Sequence, residues 1–443
     1  MNLIVTPGNP LRGEVAVPGD KSISHRASLL AALAEGESRI EHFLVSGVTE
    51  AMLRALTALG VPWRMEGNTL VVAGSGIAGL KPPSGPIDCG NSATTIRLLA
   101  GALAAAGIPA VLDGSPGLRR RPMERIVEPL QAMGVAIQAA PGGGAPLSLG
   151  GRPPGRKLKA ISYTLPVASA QLKSCLLLAG LAADGPVVLC EPGPSRDHTE
   201  RMLGALGVSI EVVASSSPTP TIKIIPPDSI HFPPLRMAVP GDFSSAAFLL
   251  VAALITPGSS LVLKGVGLNP TRTGLLDMLH EMGAAIQVLH PRLVSGEPVG
   301  DLAVESSELQ AGSVSGERVV RMIDEFPAFA IAAAFARGRT EVSQAEELRY
   351  KESDRIGALC ERLGALGVQA QEKPDGFVVD GLGRVPGGVQ LDPQGDHRLA
   401  ISLALAGLAA GSPVTVENAG IISESFPDFP AVLRSLGADI STR

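Results

Sequence analysis

Aromatic side chains make up only 3% of this sequence, with one Trp and two Tyr among 443 residues. That scarcity excludes a base-stacking platform for single-stranded nucleic acid, which needs several aromatic faces in series. No charge of one sign dominates either: 37 Lys and Arg stand against 42 Asp and Glu, for a net charge of −5. Such a balance exerts no general pull on nucleic acid or an anionic membrane, so an anionic ligand must be met by a local basic pocket. The four cysteines, Cys89, Cys175, Cys190 and Cys360, have no CxxC spacing and read as reduced thiols of a cytosolic protein. Seven histidines are scattered without HExxH or comparable spacing, so no metal site is expected. The longest apolar run, Ala246 to Ile255, is far short of the ~20 residues that a membrane-spanning helix needs. Met1 to Pro7 carries neither a basic segment nor a long apolar one, so no secretory leader is expected.

What remains is a chain that is 45% hydrophobic and 18% charged, the composition of a folded protein. Its length exceeds one ordinary core, so two or more domains are expected. Their organisation is visible as internal repetition. A helix ending in Leu or Met, then Gly, then an apolar pair recurs at Leu59-Gly60-Val61, Met133-Gly134-Val135, Leu206-Gly207-Val208, Met282-Gly283-Ala284, Leu366-Gly367-Val368 and Leu436-Gly437-Ala438. Glycine there is the usual left-handed stop after a helix. A second phrase interleaves with it: an Ala/Leu-rich helix expected to end at Gly36, Gly107, Gly185, Gly258, Gly338 or Gly411, followed by a strand such as Val187–Leu189 or Val414–Val416.

Six units of two helices plus strands follow, three to a domain, with a hinge at Pro240-Gly241-Asp242. Helices apolar nearly all round, such as those containing Ala246–Ile255 and Leu399–Ala409, should be buried, and those with one polar face should cover the outside. Pro-rich stretches at 81–86, 141–154 and 215–234 read as surface connections. A doubly wound nucleotide-binding sheet is disfavoured, because no GxGxxG follows a strand.

The densest polar stretch is Pro18-Gly19-Asp20-Lys21-Ser22-Ile23-Ser24-His25-Arg26. Pro-Gly-Asp is turn chemistry, and Asp20 or Ser22 can cap a helix that runs on into Ala27–Ala34. On that helix Lys21 and His25, and Ser22 and Arg26, are four apart and share a face. Together with the unpaired N–H groups of a helix start they suit a phosphate or carboxylate. A P-loop fits poorly, since Asp20 stands where a glycine should precede Lys-Ser.

Each repeat places a comparable cluster before its buried helix: Gly90 to Arg97, Ala168 to Lys173, Asp242 to Ser245, Asp324-Glu325 and Asp396-His397-Arg398. Capping explains the hydroxyls, amides and carboxylates without any ligand. It does not explain Lys21, Arg26, Arg97 and Arg398, whose charges oppose the helix dipole at a cost of a few tenths to about 1 kcal/mol each unless an anion is present. Arg119-Arg120-Arg121 precede another helix and can equally form a solvated face. Lys351 and Arg355, four apart, are like charges that a bound anion would reconcile. Asp324 and Glu325 are either favourable charges at a helix start or a catalytic acid or base.

Taken together, the stretches Pro18–Arg26, Gly90-Asn91-Ser92-Ala93-Thr94, Arg121-Pro122, Ser195-Arg196-Asp197-His198-Thr199, Lys351-Glu352-Ser353-Asp354-Arg355 and Asp396-His397-Arg398 resemble the 5-enolpyruvylshikimate-3-phosphate (EPSP) synthase family, in its order and over essentially the whole chain. The resemblance implies an α/β (α+β) fold of enolpyruvyl transferase type: a two-domain inside-out α/β barrel of six βαβαββ repeats. The domains would be 20–239, and 1–19 plus 240–443, with the active site in the cleft between them.

It implies transfer of the enolpyruvyl group of phosphoenolpyruvate to the 5-hydroxyl of shikimate 3-phosphate, with phosphate released through a tetrahedral intermediate. Lys21, Asp324 and Glu352 would move protons. Arg121, Arg355 and Arg398, with Lys21, would hold phosphoenolpyruvate, and Ser22, Arg26, Ser169, Gln171 and Arg196 would hold shikimate 3-phosphate. Asn91, Ala93, Ala170, Asp324 and Lys351 would complete the binding surface. No cofactor, metal, nucleic acid or membrane is implied, and a cytoplasmic monomer is expected.

Two positions depart from the pattern: Ala170 replaces a second hydroxyl, and Glu424 stands where some members have lysine. Ala93, where many members have glycine, implies insensitivity to glyphosate. The sister transferase acting on UDP-N-acetylglucosamine is the nearest alternative, but it has Lys-Asn where this chain has Lys21-Ser22. A non-catalytic anion-binding protein on the same scaffold is the other, and Asp324 and Glu352 would repel its ligand.

Overall fold

The computed structural model describes residues 1–213 and 221–443. The chain divides into two compact units. One, here the N-terminal unit, comprises 19–239 and 294–297; the other, the C-terminal unit, comprises 1–18, 240–293 and 298–443. Relative to the expected limits, Gly19 joins the N-terminal unit, and so do residues 294–297, which lie well beyond the expected hinge. Ser295 and Gly296 turn there with φ of 51° and 82°, so the tip of the hairpin formed by Ala285–Val294 and Glu297–Glu305 carries these four residues.

Each unit contains three four-stranded sheets, and all six sheets have one design. A first strand pairs in parallel with a second; a fourth lies antiparallel beside the second, and a third closes the edge. In the repeat that begins with Ser162–Thr164, that strand runs parallel to Val187–Cys190, with Tyr163 opposite Leu189. A helix must intervene between parallel neighbours, which places Ala170–Gly180 between them. Two N-terminal strands complete sheets of the C-terminal unit: Leu3–Thr6 lies between Val414–Val416 and Asp439–Thr442, and Arg12–Ala16 pairs with Ser260–Gly267. In the N-terminal unit the last strand, Arg236–Ala238, returns to pair with Glu35–Glu41 and supplies the first strand of the first repeat.

Three helices form the centre of each unit. In the N-terminal unit they are Lys21–Leu33, Ala93–Ala106 and Ala170–Gly180; in the C-terminal unit they are Phe243–Ile255, Phe326–Phe335 and His397–Ala409. Every residue of Phe243–Ile255 and of Phe326–Phe335 is buried, as all-round apolar helices require. Close approach needs small residues. A Cβ on Gly101 would come within 2.2 Å of the Cys175 carbonyl oxygen, so glycine lets Ala93–Ala106 and Ala170–Gly180 touch backbone to backbone.

The outer helices carry the Leu/Met-Gly phrase, and all six of its glycines adopt positive φ, from 78° at Gly60 to 109° at Gly437. The second glycine set behaves differently. Only Gly107 caps its helix in the left-handed region; Gly36 and Gly338 lie inside the strands Glu35–Glu41 and Arg337–Val342, and Gly185 follows its helix by five residues. Those helices stop earlier because the chain turns extended at Ala34, Thr256, Ala336 and Ala410. Two stretches expected as loops also hold strands, Leu147–Leu149 within 141–154 and Thr221–Ile225 within 215–234. Short alternating apolar segments there were masked by flanking prolines; residues 215–220 lie outside the described residues. None of the helices among the described residues is long and apolar enough to cross a membrane, and no described His, Cys, Asp and Glu side chains cluster as metal ligands do.

Candidate active site

In the N-terminal unit the polar groups gather at the starts of the three central helices. Asp20 caps the first, its Oδ1 accepting from the Ile23 amide at 2.9 Å, so Lys21 is the first helical residue and Ser22 the second. One turn on, His25 is fully buried. Its Nδ1 lies 2.7 Å from the Lys21 carbonyl, and its Nε2 3.0 Å from the Val48 carbonyl and 3.1 Å from the Ser92 hydroxyl. Burial brings its pKa down from 6.5 to about 4, so the ring is neutral and ties the Lys21 turn to the cap of the next helix.

Arg26 is 4% exposed and donates to Thr199 Oγ1 at 2.6 Å, Ser174 Oγ at 2.7 Å and the Ser22 carbonyl at 2.9 Å. Its three hydrogen bonds therefore go to neutral oxygens. Burial lowers its pKa to about 10, which leaves it charged at neutral pH. Arg196 reaches the same turn, donating from Nη1 to the Ser22 hydroxyl at 3.2 Å.

Ser92 caps the second central helix, accepting from the Thr95 amide, so the helix begins at Ala93. Ala93 is buried there. Asn91 accepts at Oδ1 from the Ser115 hydroxyl at 3.0 Å. Ser169 caps the third helix, Ala170 begins it, and Gln171 follows. Gln171 accepts from Arg97 at 2.5 Å and donates to Thr94 at 3.0 Å, while Arg97 also reaches the Pro122 carbonyl at 2.9 Å. Arg121 is half-buried in the turn between Pro116–Arg119 and Glu124–Ala132. Thus Lys21, Ser22, Arg26 and Arg196 come together around one helix start. Asn91, Ala93, Ser169, Ala170, Gln171 and Arg121 belong to the neighbouring starts and their connections.

The C-terminal unit assembles a second cluster around Arg355, which is 0% exposed. Its Nε donates to Asp396 Oδ2 at 2.8 Å and its Nη2 to Glu352 Oε2 at 2.7 Å, while Nη1 lies 3.8 Å from Asp324 Oδ1. Nearby carboxylates, Asp396 first, overcome burial and raise the guanidinium's pKa. Asp396 in turn caps His397–Ala409 through the amides of Arg398 and Leu399. Arg398 Nη1 donates to the Asp324 carbonyl at 3.2 Å, and its Nη2 is 3.7 Å from the Asp324 carboxylate.

The expected helical pairing of Lys351 with Arg355 does not form. Asp354 caps a helix that begins only at Arg355, and Lys351 ends the preceding 3-10 turn Glu346–Tyr350. Burial lowers the Lys351 pKa, with Arg355 adding to the effect and Asp324 opposing it. Glu424 ends another 3-10 turn, Ala419–Glu424, and is half-buried.

Three groups named in the sequence as members of helix-start clusters prove to hold these residues in place. Asp396 looks like an ordinary cap, yet it anchors Arg355. Glu325, beside Asp324, accepts from Ser244 and lies 3.8 Å from Arg272, which also donates to Ser244 at 2.7 Å and to Asp242 at 3.2 Å. Lys173, buried behind Ser169 and Gln171, is paired with Glu191 and Glu200. The available signal was charge at positions of otherwise apolar central helices.

The arrangement is rich in forked donors suited to phosphate and carboxylate, with carboxylates held among them. Comparison with known proteins agrees. The sequence profile of EPSP synthase (3-phosphoshikimate 1-carboxyvinyltransferase) matches residues 5–433. The 3-phosphoshikimate 1-carboxyvinyltransferase of Geobacter metallireducens is 47% identical over 98% of this chain and 99% of its own length. That of Geobacter sulfurreducens is 48% identical over 96% and 97%. An EPSP synthase structure from Acinetobacter baumannii superposes with a TM-score of 0.86 at 39% identity, covering both chains completely. The enolpyruvyl transferase NikO from Streptomyces tendae shares the fold, with a TM-score of 0.79 at 22% identity over 99% and 98% of the two chains. With six identical sheet designs, two cation-rich helix clusters and this likeness along its length, the chain belongs to the EPSP synthase (3-phosphoshikimate 1-carboxyvinyltransferase) family.

Proposed function

We propose that the two clusters serve one reaction, in which the 5-hydroxyl of shikimate 3-phosphate adds to C2 of phosphoenolpyruvate. C3 gains a proton as the hydroxyl loses one; the tetrahedral intermediate then loses phosphate and a C3 proton, which restores the C2=C3 double bond and leaves the enol ether of the product. Arg26, Arg196 and Ser22, with Ser169, Ala170 and Gln171, receive shikimate 3-phosphate. Lys21, Arg121, Lys351, Arg355 and Arg398 receive phosphoenolpyruvate, with Asn91 and Ala93 bordering it. Of its nitrogens Arg355 would use Nη1, which Asp324 approaches only to 3.8 Å, because Nε and Nη2 are hydrogen-bonded to Asp396 and Glu352.

The observation that carries the reading is the pair of carboxylates, Asp324 and Glu352, held on one buried arginine amid donors for anions. Carboxylates repel anionic substrates, and their place there follows if they, with Lys21, move protons. No cofactor enters such chemistry. The test is phosphate release from phosphoenolpyruvate, first with shikimate 3-phosphate and then with UDP-N-acetylglucosamine. Turnover with the first alone is expected; turnover only with the second, or with neither, overturns the assignment.

Three finer points complete the proposal. The enzyme acts as a monomer, which light scattering tests. It acts in the cytoplasm, which fractionation tests. It resists glyphosate, because the Ala93 methyl shortens the space beyond phosphoenolpyruvate.

A further inference from the structure

Behind the groups assigned to shikimate 3-phosphate lies a buried ionic cluster with no part in the chemistry. Lys173, 1% exposed, places its ammonium 2.8 Å from Glu191 and 2.7 Å from Glu200, themselves 2% and 8% exposed. The ammonium also donates to the Ser195 carbonyl at 3.2 Å. The Ser195 hydroxyl donates to the other oxygen of Glu191. Ser195 is thus held at both its backbone and its side chain, and the next residue is Arg196.

The members of the cluster lie on, or directly beside, the elements that carry Ser169, Gln171 and Arg196. Lys173 lies in the helix whose start presents Ser169 and Gln171. Glu200 lies in His198–Ala205, whose Thr199 accepts from Arg26 and shares a hydrogen bond with Ser174. Glu191 and Ser195 bracket the connection that delivers Arg196 to Ser22. Burial disfavours the Lys173 charge, but Glu200 and Glu191 outweigh it and raise its pKa, so the ammonium persists. Replacing a buried ion cluster by apolar packing is often neutral or stabilising, so stability alone does not account for this one.

We propose that Lys173, Glu191 and Ser195 form a positioning device that sets Arg196 to receive the phosphate of shikimate 3-phosphate. This rests on the reading of function above. The three residues act through Arg196 and do not touch substrate.

The test is a double-mutant cycle in steady-state kinetics. Ser195→Ala removes one hydroxyl and leaves the ion cluster intact, so the chain should fold with a melting temperature close to that of the parent. Its KM for shikimate 3-phosphate should rise about ten-fold, the effect of one charge-assisted hydrogen bond, with kcat and the KM for phosphoenolpyruvate changed less than two-fold. In an Arg196→Ala background, Ser195→Ala should add nothing, because coupled residues are not additive. An unchanged KM for shikimate 3-phosphate, an equal rise in both KM values, or full additivity with Arg196→Ala would overturn the proposal. Absence of turnover in the unaltered chain would instead overturn the functional reading, and this proposal with it.

Discussion

Arg355 and Asp396 form a fully buried ion pair, Nε to Oδ2 at 2.8 Å, in which the carboxylate also caps the helix that carries Arg398. One side chain therefore sets the positions of two arginines and, through Arg355, of Glu352. Breaking such a pair leaves a buried charge without its partner.

Asp396→Asn should cost about 3–5 kcal/mol in unfolding free energy, since asparagine keeps the cap but not the charge. Burial alone would raise the Asp396 pKa, yet Arg355 leads the charges that hold it below the usual carboxylate range. A lowered carboxylate pKa gives stability that is complete above the ordinary value of about 3.9 and is lost as pH falls through the folded value. Urea titrations between pH 6 and 2 should therefore show a steep acid limb in the parent and a flatter one in the variant. Equal slopes would remove Asp396 from the acid transition.

His25 predicts a second pH dependence at milder acidity. Its folded pKa of about 4 lies below the ordinary 6.5 because burial disfavours the imidazolium. The unfolded chain then binds the extra proton between those values. Stability is complete above pH 6.5 and falls as pH drops toward 4, by about 3 kcal/mol in total. His25→Gln should flatten that segment of the stability–pH curve. A segment that keeps its slope in the variant would assign the effect to another group.

For the proposed proton carriers, Asp324→Asn and Glu352→Gln should each cut kcat by roughly 100- to 10,000-fold. Shikimate 3-phosphate affinity, measured by calorimetry, should change little, since its binding groups belong to other helices. Near-normal turnover in either variant would return that carboxylate to supporting Arg355 alone.

Ala93 is buried at the first position of its helix, directly after the Ser92 cap. If its methyl limits the phosphoenolpyruvate pocket, Ala93→Gly should lower the glyphosate inhibition constant by about ten- to two-hundred-fold, the cost of relieved overpacking, with little change in substrate KM. A role in helix formation alone gives a different result: a loss of about 1 kcal/mol in stability and unaltered inhibition.

Much of this protein was determined by its sequence alone, and for local reasons. The six Leu/Met-Gly phrases mark helix ends because only glycine enters the left-handed region without cost, and each glycine does so. Apolar residues all around Phe243–Ile255 permit only a central helix. The Asp20 cap and the Lys21–Arg26 turn follow from short-range chemistry, as does the family likeness built on such motifs.

Tertiary structure decided what depends on partners distant in the chain. Nothing near Arg236–Ala238 announces that it completes a sheet begun two hundred residues earlier. Nor does anything near Ser295-Gly296 show that residues 294–297 cluster with the N-terminal unit. Lys351 and Arg355 have helical spacing, yet the Asp354 cap, held by Arg349 at 2.6 Å, starts the helix between them. The sequence shows Asp396, Lys173 and Glu325 as a cap, a stray cation and a helix-start charge. Their roles arise only when folding buries each one against an opposite charge far along the chain, because a charge withdrawn from water must find its partner in three dimensions.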